Sequence, residues 1–170
     1  MTQTPSEVLR FRWLDAMLPD VPFDGWTEAT AARAAKQAGL SEGEQALAAP
    51  NGVPDLIDAF FDRAGQAARE ALADQDISAL KTPARVKAGV LAWLAALEPN
   101  REAVRRAAVR GLLPWGAASA VQRTWRIADM VWDEAGDTSE DYNRYSKRGL
   151  LAAVIPPIIM YWLDQPSDEQ

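Results

Sequence analysis

The feature that most constrains this chain is the recurrence of its apolar residues every three or four positions, in segments bounded by proline, glycine or a Ser/Thr/Asp cap. That spacing lays one apolar stripe along a helix. Runs of alternating apolar and polar residues are absent. Alanine, which loses almost no side-chain freedom in a helix, dominates the apolar share, and β-branched residues are thinly spread. An all-α fold follows, and 170 residues suffice for one real core.

The first helix is expected over about 5–18, with Pro5 in its first turn and Leu9, Trp13, Leu14 and Met17 facing inward. Pro19, Pro22 and Gly25 predict a loop. A second helix over 27–38 ends at Gly39, and a short third one opens at Ser41, with Glu44 completing a capping box, and stops near Pro50. A longer helix from about 54 to 73 turns Leu56, Ile57, Phe60 and Phe61 inward. Thr82-Pro83 starts the next, where Val86, Val90, Leu94 and Leu97 recur at helical spacing. Pro99-Asn100 ends it and caps a shorter helix reaching about 109. A long helix follows over 115–135, closed by Gly136, and Asp137 with Glu140 reads as a capping box for the last one. That final helix holds an uncharged run, 149–163, interrupted by Pro156-Pro157, where a kink is expected. The run is shorter than the ~20 residues that span a bilayer and reads as a buried or subunit-interface helix. The division expected is a head, 1–50, and a body, 51–170, forming one compact unit.

Histidine and cysteine are both absent. Their absence removes the usual ligands of zinc, copper and iron–sulfur sites, and with them Ser-His and Cys-His nucleophilic catalysis. Nothing clusters the remaining acids or lysines for chemistry, so neither an enzyme, a metal site nor a cofactor is expected. Net charge is −6 with a pI near 4.7, which disfavours nucleic acid as a partner. Residues 1–9 have neither the layout of a secretory signal nor that of a transit peptide, and a bacterial cytoplasmic protein is the expectation.

Residues 27–49 have the layout of a helix-turn-helix, and with one helix before and a longer one after they resemble the head of TetR-type repressors. A ligand-responsive transcriptional repressor is therefore the alternative reading. The charges oppose it. Between Asp24 and Pro50 stand Asp24, Glu28, Glu42 and Glu44 against only Arg33 and Lys36. Glu42 and Glu44 sit at the start of the would-be recognition helix, where base edges and phosphates would lie.

The densest motif runs from Asp129 through Trp132, Ala135-Gly136-Asp137-Thr138-Ser139, Asp141, Asn143 and Tyr145-Ser146 to Arg148. Together with Gly25-Trp26-Thr27 and Gly39-Leu40-Ser41 it resembles the ninth coenzyme Q (ubiquinone) biosynthesis protein family and its bacterial members. The resemblance implies a TetR-like homodimer that has abandoned DNA. It further implies an accessory protein that binds an isoprenoid or phospholipid in its helical body and works with the di-iron demethoxyubiquinone hydroxylase, in peripheral contact with the inner membrane. It places the hydroxylase-docking patch at Asp129 and Trp132, with Asp133 beside them where other members often carry an aromatic or basic residue. Members continue beyond the stretch matching 164–168 into an amphipathic membrane-touching helix, and this sequence reaches Gln170.

On a helical wheel Gln122, Arg126, Asp129 and Asp133 form a polar stripe, with Val121, Trp125, Ala128 and Trp132 on the adjoining apolar arc. Trp132 is then a half-exposed anchor for a partner, or simply packs on a neighbouring helix. Tyr145 and Arg148 are expected to tie the last helix to the long one. Small residues that leave space and aromatics that wall it suggest a lipid site among Val90, Leu91, Leu94, Leu97, Leu112, Trp115, Val121, Trp125, Leu151, Ile155 and Ile159. A filled core made of the same residues is the other reading.

Overall fold

The computed structural model describes residues 4–113 and 116–166, and among these every regular element is helical. In order they are α1 (Pro5–Met17), α2 (Val21–Asp24), α3 (Glu28–Gln37), α4 (Glu42–Ala48), α5 (Val53–Ala73), α6 (Thr82–Leu97), α7 (Arg101–Gly111), α8 (Ala117–Glu134) and α9 (Tyr142–Asp164). A 3-10 turn, Glu98–Asn100, joins α6 to α7. The expected loop at Pro19–Gly25 contains the one-turn helix α2, because Pro22 falls in the first turn, where its missing N–H costs nothing.

The chain forms two compact units, 1–61 with 102–116 and 62–101 with 117–170. This differs from the division expected at residue 50: the first part of α5 and nearly all of α7 belong with the head. Trp26 joins the pieces. Phe60 packs against it with the rings tilted by 50° and their centroids 5.6 Å apart, and its indole donates to the Ala103 carbonyl at 2.9 Å.

Within that first unit α1 packs on α3 and α4. Leu14 and Met17 are fully buried, and the Trp13 indole donates to the Ala31 carbonyl at 2.8 Å. Gly39 ends α3 at φ +66°, and the Ser41–Glu44 capping box opens α4 as the sequence predicts. Glu44 also lies 3.8 Å from Arg12.

In the second unit α8 packs against α6 and α9. Gly89 permits the α6–α8 approach, since a Cβ there would lie 3.1 Å from Val131 Cγ1. Trp93, Leu97, Val131 and Ile155 are among its most buried side chains. The helix α9 runs through Pro156 and Pro157, which removes the ladder donors to the Ala152 and Ala153 carbonyls. Both prolines and Ala153 are on the exposed side, where water can serve the freed oxygens.

Candidate functional site

The most developed polar arrangement sits where α8 turns into α9. Gly136 closes α8 at φ +77°, and the Asp137 N–H returns to the Trp132 carbonyl at 3.0 Å. The chain then has no regular structure through 138–140, and α9 begins under an Asp141 cap whose carboxylate accepts from the Asn143 N–H at 3.0 Å. The capping box expected from Asp137 and Glu140 is not formed. Asp137 is occupied elsewhere, and the helix starts four residues beyond Thr138.

The occupant of Asp137 is Arg148. Its side chain is 1% exposed, and it donates Nη1 to Asp137 at 2.8 Å, Nη2 to Asp133 at 2.7 Å and Nε to Asp129. Lys147 Nζ reaches Asp137 at 2.7 Å and Ser139 Oγ at 2.9 Å, and Arg144 reaches Asp129 at 3.2 Å. Residues 129, 133 and 137 stand four apart, so the three acids line one side of α8 and its cap, and three cations from the first two turns of α9 answer them. Burial pushes the Asp137 carboxyl up, but hydrogen bonds from Lys147, Arg148 and Ser139 outweigh it and hold the carboxyl well below the usual range. Burial likewise lowers Arg148, and its three aspartates overcome that and raise it. The aspartates therefore converge on a guanidinium. Among the described residues no group of acids is arranged to hold a metal ion.

Trp132 is half-buried and fastened to α9, its indole donating to the Lys147 carbonyl at 3.1 Å with Lys147 Nζ 5.3 Å from the ring centroid. The three residues assigned to partner docking are thus brought together, with Asp129 and Asp133 engaged by Arg148 and partly exposed. Arg148 ties α9 to α8 as expected. Tyr145 is exposed and does not share that tie.

The far end of α9 carries a second arginine lock. Arg101 lies 4.7 Å over the Trp162 ring and donates to the Gln165 carbonyl at 2.7 Å, and the Trp162 indole donates to Glu98 at 2.9 Å. Between the two locks the uncharged run leaves Leu150, Val154, Pro157 and Tyr161 exposed along one stripe. Trp125 of α8 adjoins it, because a Cβ on Gly149 would meet its ring at 3.7 Å.

The residues assigned to the lipid do not form one class. Val90, Leu94, Leu97 and Ile155 are buried in the second unit, Leu151 and Ile159 are half-buried, and Leu91, Val121 and Trp125 are exposed. Leu112 is exposed and belongs to the first unit, and Trp115 lies outside the described residues. The stripe at Leu150, Val154 and Tyr161 was not singled out in the sequence, although its spacing of three and four inside an uncharged run was there to find.

Fold and site together define an all-α protein whose most developed polar cluster ties α9 to α8. Residues 117–170, which contain α8, the corner and α9, match the COQ9 family model. The chain is 30% identical over 156 residues to the human "Ubiquinone biosynthesis protein COQ9, mitochondrial", covering 88% of this chain and 49% of that one. It is 28% identical to the rat protein of the same name, covering 88% of this chain and 50% of that one. These matches support the COQ9 family for this chain, which spans about half the length of the curated relatives it matches. Among the described residues no helix is long and apolar enough to cross a membrane.

Proposed function

We propose that this chain is a non-catalytic accessory protein of ubiquinone biosynthesis that binds isoprenoid or quinone precursors and presents them to a partner di-iron hydroxylase. The observation that carries the reading is the apolar surface of α8 and α9, held between two arginine locks inside the segment that matches the family. Surface of this kind is costly to leave in water and suits either a lipid tail or another apolar partner. In this reading Leu91, Val121 and Trp125 are where a tail leaves water. Val90, Leu94, Leu97 and Ile155 supply the apolar interior it enters, with Leu151 and Ile159 between. Each buried CH₂ is worth roughly 0.8 kcal/mol, so a polyprenyl tail needs no polar anchor. The reading also takes the protein to be a TetR-like homodimer in peripheral contact with a membrane. Its acidic α3–α4 surface, with Glu42 and Glu44 at the start of α4, is unsuited to DNA.

Asp129, Trp132 and Asp133 are the proposed hydroxylase contact. The ionic corner gives that patch a fixed shape, which lowers the ordering cost of docking. Capture by immobilised demethoxyubiquinone hydroxylase tests it, using wild type, Trp132→Phe and Asp133→Asn, each checked for native circular dichroism. Wild type should be captured and both variants at least about tenfold less well, as befits residues at the centre of a contact. Failure to capture wild type would remove this partner, and equal capture of all three would move the contact off the corner.

A further inference from the structure

Charge in the first unit is segregated by element. Residues 4–61 carry nine acids (Glu7, Asp15, Asp20, Asp24, Glu28, Glu42, Glu44, Asp55 and Asp58) against Arg10, Arg12, Arg33 and Lys36. Residues 102–113 reverse the balance, with Arg105, Arg106 and Arg110 against Glu102 alone. That one acid is shared, lying 3.0 Å from Arg105 and 3.2 Å from Arg106.

The arginines also share a face with apolar residues. Ala103, Val104 and Ala107 turn α7 into the unit's core. On the outward side Arg105, Val109 and Leu112 follow one another at spacings of four and three, and Arg106, Arg110 and Leu113 repeat the pattern one position on. Basic side chains thus occupy the earlier turns of this face, and its end is apolar. Leu112 is 82% exposed, and Val109 and Leu113 are exposed too. A fourth apolar side chain comes from α2. Arg106 donates to the Pro22 carbonyl at 2.9 Å and Arg110 to the Trp26 carbonyl at 2.9 Å, which brings α2 alongside α7, and Phe23 next to Pro22 is 81% exposed. The acids nearest Phe23, Asp20 and Asp24, are both paired with Arg33.

We infer that this face, Phe23, Val109, Leu112 and Leu113 framed by Arg105, Arg106 and Arg110, is where the protein lies on an anionic membrane surface. A leucine and a phenylalanine exposed this far have a cost in water that insertion into the headgroup boundary removes, and the guanidinium groups beside them meet lipid phosphates. Charge complementarity selects this occupant. The rest of the unit is acidic and would be repelled from such a surface, which orients the contact through α7. The inference rests on the membrane contact in the proposed function and adds the surface that makes it.

Flotation of the intact chain with vesicles tests it, using phosphatidylglycerol-containing and pure phosphatidylcholine vesicles. The wild type should float with the anionic vesicles, bind the neutral ones weakly and be released by raised salt. Arg105→Gln/Arg106→Gln should weaken anionic binding about thirtyfold, and Phe23→Ser/Leu112→Ser should abolish it at any salt concentration. All these side chains are at the surface, so native circular dichroism is expected throughout, and Arg105→Gln alone serves if loss of the Arg106–Pro22 bond disturbs α2. Binding unchanged by both double variants would overturn the assignment of this face while leaving lipid carriage intact. A wild type that floats with no vesicle would overturn it as well, with bound isoprenoid in the purified protein remaining the separate test of carriage. If Leu112→Ser instead halves the mass found by light scattering, the face belongs to a second copy and the membrane assignment fails.

Discussion

The beginning and the middle of α9 follow opposite rules. Its first turns put Arg144, Lys147 and Arg148 against Asp129, Asp133 and Asp137, with Arg148 nearly sealed from solvent. Its middle has no charge from Gly149 to Leu163 and leaves Leu150, Val154 and Tyr161 in the open. Burying ions and exposing hydrocarbon are each unfavourable alone, and the pairing teaches what each is for. The ionic corner does not need to out-stabilise an apolar one. What it supplies is a fixed geometry, and with the Arg101–Trp162 contact at the other end it anchors α9 on both sides of the apolar stripe.

That contrast can be broken at either end. Arg148→Met should have the largest effect, about 3–5 kcal/mol in chemical denaturation, because it leaves a buried aspartate short of its main partner. A loss under ~1 kcal/mol would mean that the corner is ornamental. Asp137→Asn should cost about 2 kcal/mol, since a neutral amide replaces charge-assisted acceptance. The pH dependence sharpens the same point. Asp137 is depressed from its ordinary 3.8 in the folded chain, so its stabilisation is complete above that value and drains away as pH falls below it. Wild-type stability should drop steeply in that acid range, and Asp137→Asn should flatten part of the drop.

Gly136→Ala is next, at about 1 kcal/mol, for placing a Cβ at φ +77°. The new methyl would sit 3.1 Å from Arg85 Nη1, the end of a flexible side chain that can give way. Thermal melts will read the difference. Smallest of all, Leu150→Ser/Val154→Ser should change the stability of the isolated chain by no more than about 0.5 kcal/mol per site, because neither side chain is buried in it. A large loss there would show that the stripe is core after all.

Much of the frame was legible from local signals. Gly39, the Ser41–Glu44 box, Thr82-Pro83 and Gly136 each act within a few residues of where they stand in the chain, and their elements form as the sequence predicts. Asp137 was misread for the complementary reason. Its partner Arg148 is eleven residues away and arrives only when α9 folds back along α8, so a wheel shows three acids on one face but not the guanidinium they meet. The lipid assignment split because it gathered residues from more than one helix face. Val90 lies on the stripe that helical spacing marks and is buried, whereas Leu91, one position off that stripe, is exposed. The extent of the first unit was hidden likewise, since Trp26 bonds to Ala103, 77 residues further along the chain.

Native mass spectrometry of the chain, purified from cells that make ubiquinone, bears most directly on the claim that this scaffold carries isoprenoid. Wild type should retain a mass of isoprenoid or quinone type that Val121→Ser/Trp125→Ala, in a natively folded protein, largely loses. A bare wild-type spectrum, or an adduct held equally by the variant, would contradict the account.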